Sequence, residues 1–518
     1  MKDAIAILDF GSQYTQLIAR RVRELNVYCE IFPWDAAQST ITEIQPKGYI
    51  LSGGPASAYE ENAPYVQDFI MAAGLPILGI CYGMQAITLK LSGKVIPAEA
   101  REYGYAEVDI TEGNILLQRN HYKVWMSHGD RIDGLPLGFR TIASSQNSPY
   151  AAIASEDNRI FGLQFHPEVN HTQNGKEILK NFVVDICNAQ PTWTADAIID
   201  QAIKTIREQV GNQKILSAVS GGVDSSVATA LVHEAVGDQL TAVFVDHGLL
   251  RKNERETVEQ AFRGKFGTHL ITVDAEDLFL GKLSGIQDPE QKRKIIGETF
   301  IRTFEAEADK LGEIPFLVQG TIYPDVVESS APDRNKAQRI KSHHNVGGLP
   351  EDLKFKLVEP LRYLFKDEVR NVGETLGLPT ELVWRQPFPG PGLAVRCLGD
   401  LTRERLNTLR EADAIFTGEL AEAGLISRRP KEDEPQIGQA FAVLLPVKSV
   451  GVMGDQRTYQ EAIALRAVYT QDFMTANWAH IPYELLGKIS HRIVNEVKGV
   501  NRVVYDITGK PPATIEWE

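Results

Sequence analysis

The run Leu78-Gly79-Ile80-Cys81-Tyr82-Gly83-Met84-Gln85 sets a thiol directly after an apolar stretch and before a helical one, with a glycine two positions away on each side. This is the G-x-nucleophile-x-G elbow with cysteine in place of serine: a sharp turn exposes the side chain, and the helix N-terminus favours its anionic form. Such a nucleophile needs a base. Gly162-Leu163-Gln164-Phe165-His166-Pro167-Glu168 offers one, because an imidazole and a carboxylate two apart at a strand end can project to the same side. His166 would take the thiol proton, while Glu168 would fix its tautomer and support the imidazolium. In Ile50-Leu51-Ser52-Gly53-Gly54-Pro55 the backbone N–H groups of Gly53 and Gly54, with that of Tyr82, could hold an oxyanion during acyl transfer. Each piece alone also reads as ordinary structure: a buried cysteine in a tight turn, a satisfied histidine, a strand-ending turn. Their combination points to chemistry.

In this order the pieces resemble class I glutamine amidotransferases, over residues 1 to about 190. The resemblance implies a flavodoxin-like fold, a γ-glutamyl thioester on Cys81 and release of ammonia. Trp125-Met126-Ser127-His128-Gly129-Asp130 is similar to a family segment near the glutamine pocket.

A second centre is Val219-Ser220-Gly221-Gly222-Val223-Asp224-Ser225-Ser226, between the apolar run Ile215 to Val219 and the helical stretch Val227 to Val236. Glycines let backbone approach phosphate closely, and a helix N-terminus aims amide donors and a positive dipole at it. Ser220, Ser225 and Ser226 can add hydroxyl donors, and Asp224 can help hold Mg²⁺ or orient a donor. No lysine follows the second glycine, so this is not the loop that grips terminal phosphates for γ-transfer. The sequence SGGVDS resembles the pyrophosphate loop of N-type ATP pyrophosphatases, which have an adenine nucleotide α-hydrolase-like fold. That implies cleavage between the α and β phosphates of ATP. Asp246, at the next strand end, could border adenine or ribose, or cap a helix. Asp325 and Glu328 open a long polar stretch to Glu351, read as a mobile active-site cover; they could bind Mg²⁺, assist deprotonation, or be solvated charges. Lys341 and Lys366 are candidate phosphate or leaving-group contacts.

The acceptor must be read further on. Gly390-Pro391-Gly392-Leu393-Ala394-Val395-Arg396, Gly451-Val452-Met453-Gly454-Asp455-Gln456-Arg457 and the tail from Asp506 to Glu518 resemble segments of the GMP synthase family, and the resemblance then covers essentially the whole chain. It implies that XMP, ATP, glutamine and water give GMP, AMP, pyrophosphate and glutamate through an adenylyl-XMP intermediate. It also implies that Arg457 and Lys510 pair with the XMP 5′-phosphate, that Glu516 and Asp455 meet base or ribose donors, and that Arg293 touches XMP. Mg²⁺ without an organic cofactor, and a homodimer formed through the C-terminal domain, follow from the same resemblance.

These centres require supporting elements. Short apolar runs (Ala4 to Leu8, Tyr49 to Leu51, Pro76 to Ile80, Ile160 to Phe165) alternate with longer segments such as the helical Thr15 to Leu25, predicting an α/β domain with a mainly parallel sheet over residues 1–190. A turn-rich segment, Asn188 to Trp193, ends it. A second α/β rhythm over 193–392 has an amphipathic helix from Ala195 to about Val210 and strands at Ile215–Val219, Leu240–Val245, Leu270–Val273 and Phe316–Gln319. The prolines and glycines of Pro387 to Gly392 close it, and 393–518 reads as a small α+β domain.

With 518 residues, two to four domains are expected. A net charge of −14 argues against a broad nucleic-acid or anionic-membrane surface. No run of 18 apolar residues and no signal peptide is seen, so a cytoplasmic protein is expected. Cys29, Cys81, Cys187 and Cys397 are scattered, without the spacing of a disulfide framework or zinc site. Two rivals stay open: a ligase of the same chemical type with another adenylated acceptor, and a nucleotide-binding regulator that has lost the chemistry.

Overall fold

The computed structural model describes residues 3–265, 267, 269–330, 355–426, 437–453, 456–470, 473 and 475–518. The chain divides into two compact units, Met1–Ile198 and Ile199–Glu518.

Among its described residues the first unit is built on nine strands: β1 (Ala4–Asp9), β2 (Tyr28–Pro33), β3 (Pro46–Leu51), β4 (Ile77–Ile80), β5 (Lys94–Ile110), β6 (His121–Gly134), β7 (Phe139–Ser145), β8 (Ala152–Ser155) and β9 (Ile160–Leu163). They form one sheet in the order β2-β1-β3-β4-β9-β8-β7-β5-β6. The expectation of a mainly parallel sheet holds for the half from β2 to β9, whereas β8, β7, β5 and β6 pair antiparallel. The reason lies in residue patterning. β4 and β9 are buried throughout, as suits strands covered on both faces. β6 begins by alternating exposed and buried positions, the signature of a strand with one covered face. The parallel half places β4 between β3 and β9, so the residues following all three strands share one edge of the sheet. Under it lie Ala6, Leu8, Leu51, Ile77 and Tyr82, all buried.

The second unit opens with β10 (Ile215–Val219), β11 (Leu240–Asp246), β12 (His269–Asp274), β13 (Phe316–Val318) and β14 (Lys356–Val358), all parallel in the order β12-β11-β10-β13-β14. The order reverses between β10 and β13, and at such a switch point the chain diverges to opposite faces and leaves a crevice beyond the strand ends. The helix Val223–Val236 begins there, four residues earlier than the sequence predicted, so Asp224, Ser225 and Ser226 lie in its first turn. Asp325 and Glu328 lie on a helix, Tyr323–Ser330, rather than on a loop. Proline and the carboxylate in its first turn suit a helix start.

A further sheet joins β15 (Ile437–Met453), β16 (Gln456–Tyr469), β17 (Asn477–Trp478) and β18 (Val500–Asp506). β15 and β16 form a long antiparallel ribbon, and β18 joins β16 in parallel only from Glu461 onward. The α+β expectation therefore stands for this region. One buried core, including Leu216 and Val243 with Leu393, Leu406, Leu444 and Ile463, serves both sheets of the unit. Among the described residues no helix is long and apolar enough to cross a membrane.

Candidate functional site

Cys81 caps the helix Tyr82–Lys90 with φ 52° and ψ −106°, a conformation that L side chains rarely adopt and that surrounding structure must impose. The two flanking glycines make this possible. A Cβ on Gly79 would stand 2.6 Å from Met84 N, and one on Gly83 would stand 2.4 Å from Leu51 O, so helix and strand could not pack this closely with any other residue. Cys81 N also donates to Leu163 O at 2.6 Å, tying the elbow to the end of β9.

That tie brings His166 to the thiol. His166 and Glu168 lie past the end of β9 rather than on it, in a turn pinned by His166 N on Trp125 O at 3.1 Å and by Thr172 Oγ1 on His166 O at 2.5 Å. They still share a side, with His166 Nδ1 2.7 Å from Glu168 Oε1 and both side chains buried. Burial, the largest influence, pushes His166 down, yet the Glu168 charge and hydrogen bonds with Cys81 and Glu168 hold it well above the usual histidine value. With Nδ1 committed to the carboxylate, Nε2 is left as the proton-accepting atom. A Cβ on Gly53 would meet His166 Cε1 at 3.1 Å, which puts the Gly53-Gly54 turn against the same imidazole. Among the described residues the N–H groups of Gly53, Gly54 and Tyr82 have no acceptor.

At the second centre Gly221 has φ +78°, which a glycine adopts without strain, and Gly222 caps the helix. Ser220 Oγ lies 3.0 Å from Ser225 Oγ, and Ser225 Oγ donates to Gly222 O at 3.1 Å. Ser226 Oγ is buried without a partner among the described residues. Lys366, at the first position of the helix Lys366–Thr375, pairs with Asp224 Oδ2. Asp224 Oδ1 is buried and without a partner among the described residues. The backbone at Val223 starts the helix under this loop. Asp246 ends β11, with Oδ1 accepting from Gly248 N at 3.0 Å and Oδ2 paired with Arg255 at 3.1 Å. Asp325 Oδ2 accepts from Ile322 N at 3.1 Å, a helix-capping role. Lys341 and Asp455 lie outside the described residues, as does 331–351 of the expected cover.

Among the described residues, those expected at XMP are not all brought together within one chain. Lys510 pairs through its backbone with Ala476, beside the Tyr469 end of β16, and its Nζ donates to Phe473 O at 2.7 Å. Arg457 is exposed at the other end of that strand, opposite Val452. Arg457 and Tyr469 are twelve positions apart along the strand, a span of roughly 40 Å. Glu516 sits at the Lys510 end, but its carboxylate is engaged by Arg396 at 2.7 and 3.0 Å and by Gln439 at 2.8 Å. Arg293 donates to Glu518 O at 2.6 Å and pairs with Glu290.

Spacing alone did not single out Arg385, which donates to Gly221 O and pairs with Glu254. It is 164 residues from that glycine, and only the tertiary fold joins them. Gln164 and Gln85 belong to the same motifs; both are buried, Gln164 beside the thiol and Gln85 bonded to Gln164.

Residues 6–186 match the family described as glutamine amidotransferase class-I, and residues 428–517 match the GMP synthase C terminal domain. The first unit is thus of the class I amidotransferase kind, and the chain is a glutamine-dependent ligase. Proteins named GMP synthase (glutamine-hydrolyzing) from Thermomicrobium roseum, Clostridium botulinum and Clostridium tetani are each 57% identical to it over 519 residues. The alignments cover all of this chain and 97% of the first relative and 100% of the other two. The chain belongs to the family of glutamine-hydrolysing GMP synthases.

Proposed function

We propose that this enzyme converts XMP, ATP, glutamine and water to GMP, AMP, pyrophosphate and glutamate. The observation that carries the reading is the presence, in one chain aligned end to end with relatives of that name, of a buried Cys81-His166-Glu168 set and a glycine loop at a sheet switch point. Cys81 attacks the glutamine amide to form a γ-glutamyl thioester; His166 takes the thiol proton and returns it to the departing ammonia, and water then releases glutamate. Gly53, Gly54 and Tyr82 hold the oxyanion.

In the second centre ATP lies with its phosphates over Ser220, Gly221, Gly222, Val223, Asp224, Ser225 and Ser226, and with its nucleoside toward Asp246. The xanthine C2 oxygen is a poor leaving group; attack on the α-phosphate turns it into AMP, which ammonia displaces. Making ammonia in the same chain raises its local concentration. The orphaned Oδ1 of Asp224 fits a divalent cation, since Mg²⁺ sites commonly combine one or two carboxylates with substrate phosphates. Asp224, with Asp325, would hold it, and bound Mg²⁺ would supply charge neutralisation to the pyrophosphate. Lys366 and Lys341 attend the phosphates.

The domains in this reading are 1–190, flavodoxin-like; 193–392, adenine nucleotide α-hydrolase-like; and 393–518, the dimerisation and XMP-binding region. XMP meets Lys510, Glu516 and Arg293 of one chain. Arg457, at the far end of the ribbon, belongs to the XMP site of a second copy, which the separation along β16 favours, and Asp455 meets base or ribose donors of XMP. The exposed Val450, Val452 and Tyr459 on that ribbon supply apolar area for such a dimer. The enzyme works in the cytoplasm, without nucleic acid or membrane partners. Purified protein given ATP, glutamine and Mg²⁺ should release pyrophosphate only when XMP is added; release with another acceptor and not with XMP would overturn the assignment.

A further inference from the structure

A line of buried polar side chains outside the proposed triad runs from the thiol into the first unit. Gln164 Nε2 lies 3.8 Å from Cys81 Sγ, and Gln164 Oε1 accepts from Gln85 Nε2 at 3.4 Å. The same Gln85 nitrogen donates to Asp130 O at 3.1 Å, and that carbonyl also lies 2.9 Å from His128 Nδ1. His128 Nε2 stands 3.0 Å from Glu102 Oε2, and Ser145 Oγ donates to Glu102 at 3.1 Å. Gln164, Gln85, His128 and Glu102 are all buried.

The direction of the bonds that join Asp130 O to Gln85 and Gln85 to Gln164 is determined. A peptide carbonyl only accepts, so both Gln85 and His128 must donate to Asp130 O. With its nitrogen so placed, Gln85 offers its other amide proton to Gln164, whose oxygen must therefore face Gln85. The end of Gln164 turned to the sulfur is then its NH₂ group. An amide orientation that is otherwise a free choice is set here by Gln85, which Asp130 O orients in turn. Glu102 anchors the far end: burial pushes its carboxyl up, but the His128 hydrogen bond and charge and bonds from Ser145 and Asn147 hold it below the usual carboxylate range.

We propose that Gln164 is a further catalytic residue of glutamine hydrolysis, donating an N–H to Cys81 Sγ, and that Gln85, His128 and Glu102 are positioning residues that fix its orientation. The proposal rests on the amidotransferase reading of Cys81. A donor aimed at sulfur in a dry site favours the anion over the neutral thiol, because a thiolate accepts a hydrogen bond far better than a thiol does. When the thiol proton passes to His166 Nε2, the electron pair left on sulfur is stabilised by Gln164, which keeps both of its own protons. The fixed amide also keeps its own oxygen, which would repel the thiolate, away from the sulfur, whose nearby acceptor is Ser127 O at 3.7 Å.

The test is the pH dependence of iodoacetamide labelling of Cys81 in the full chain, followed by mass spectrometry of the labelled peptide. Gln164→Glu keeps the acceptor for Gln85 but turns an oxygen to the sulfur, and should move the labelling midpoint up by about one pH unit or more. Gln164→Met, of similar length and without a donor, should move it the same way by less and carries the test if the first variant does not fold. Glu102→Gln should shift it in that direction too. A purely structural Gln164 would change stability without moving the midpoint, so parent-like midpoints in the folded Gln164 variants would overturn the proposal. Failure of the parent chain to form glutamate from glutamine would instead overturn the amidotransferase reading, which the labelling curve does not measure.

Discussion

Glu168 presents one oxygen to His166 Nδ1 at 2.7 Å and keeps the other buried without a partner among the described residues. The carboxylate therefore depends on the imidazolium as much as the imidazolium depends on it. Glu168→Gln should lower glutamine-dependent amination by roughly two to four powers of ten, the range for losing a supported general base, and leave ammonium-dependent amination in place. The sign of the stability effect also follows. A histidine raised on folding contributes stability that is fully present below its ordinary value of 6.5, so long as Glu168 is ionised, and is lost as pH rises through the folded value. Urea midpoints of parent and variant should accordingly lie furthest apart at mildly acid pH and converge as the solution becomes alkaline.

Removing the sulfur separates the two centres. Cys81→Ala should abolish glutamine-dependent GMP formation and retain the ammonium-dependent reaction, because the glycine loop and Lys366 lie in a different compact unit. GMP measured with each nitrogen source decides this, and loss of both would contradict separate sites.

The elbow predicts a packing effect. Gly83→Ala would place a methyl 2.4 Å from Leu51 O, a backbone atom that cannot swing aside. Overpacking of this kind should cost about 3 kcal/mol. Chemical denaturation followed through the first unit's aromatic signals should show it, and an unchanged midpoint would mean the elbow relaxes freely.

Much of this is legible in the sequence alone. The run Gly79 to Gly83 dictated the turn because both glycines are sterically required, and β10 was bounded to the residue by the apolar run that the glycine loop ends. The antiparallel half of the first sheet was missed: β5 is a long strand with register shifts, and the pairing of a half-exposed strand is decided by partners distant in sequence. Arg385 was invisible for the same reason, as its partners Gly221 and Glu254 are 164 and 131 residues away. Gln164 was in view but mute, since only the directions of its bonds give an amide a role.

The loop that grips phosphate invites a charge test. Lys366 pairs with Asp224 while the other oxygen of that carboxylate has no partner among the described residues. Lys366→Met should raise the ATP KM and lower the ammonium-dependent rate by at least about tenfold, the loss expected for one charge-assisted contact of roughly 1.5–3 kcal/mol. Iodoacetamide labelling of Cys81 should be unaffected. Pyrophosphate release at parental KM and kcat would remove Lys366 from the site.

The separation of Arg457 from Lys510 along β16 makes a prediction that one chain alone cannot satisfy. If both meet one 5′-phosphate, the site must join Lys510 of one copy to Arg457 of another. Arg457→Ala and Lys510→Ala homodimers would then each lack one cation in both sites and turn over XMP poorly. In a mixed dimer one site contains both substitutions and the other contains neither, so equal mixing with free exchange should restore about a quarter of parental activity. The measurement is GMP formation after unfolding and refolding the two variants together, against each refolded alone. Recovery shows a shared site, whereas a mixture no more active than its parts would mean that Arg457 and Lys510 do not act on the same phosphate.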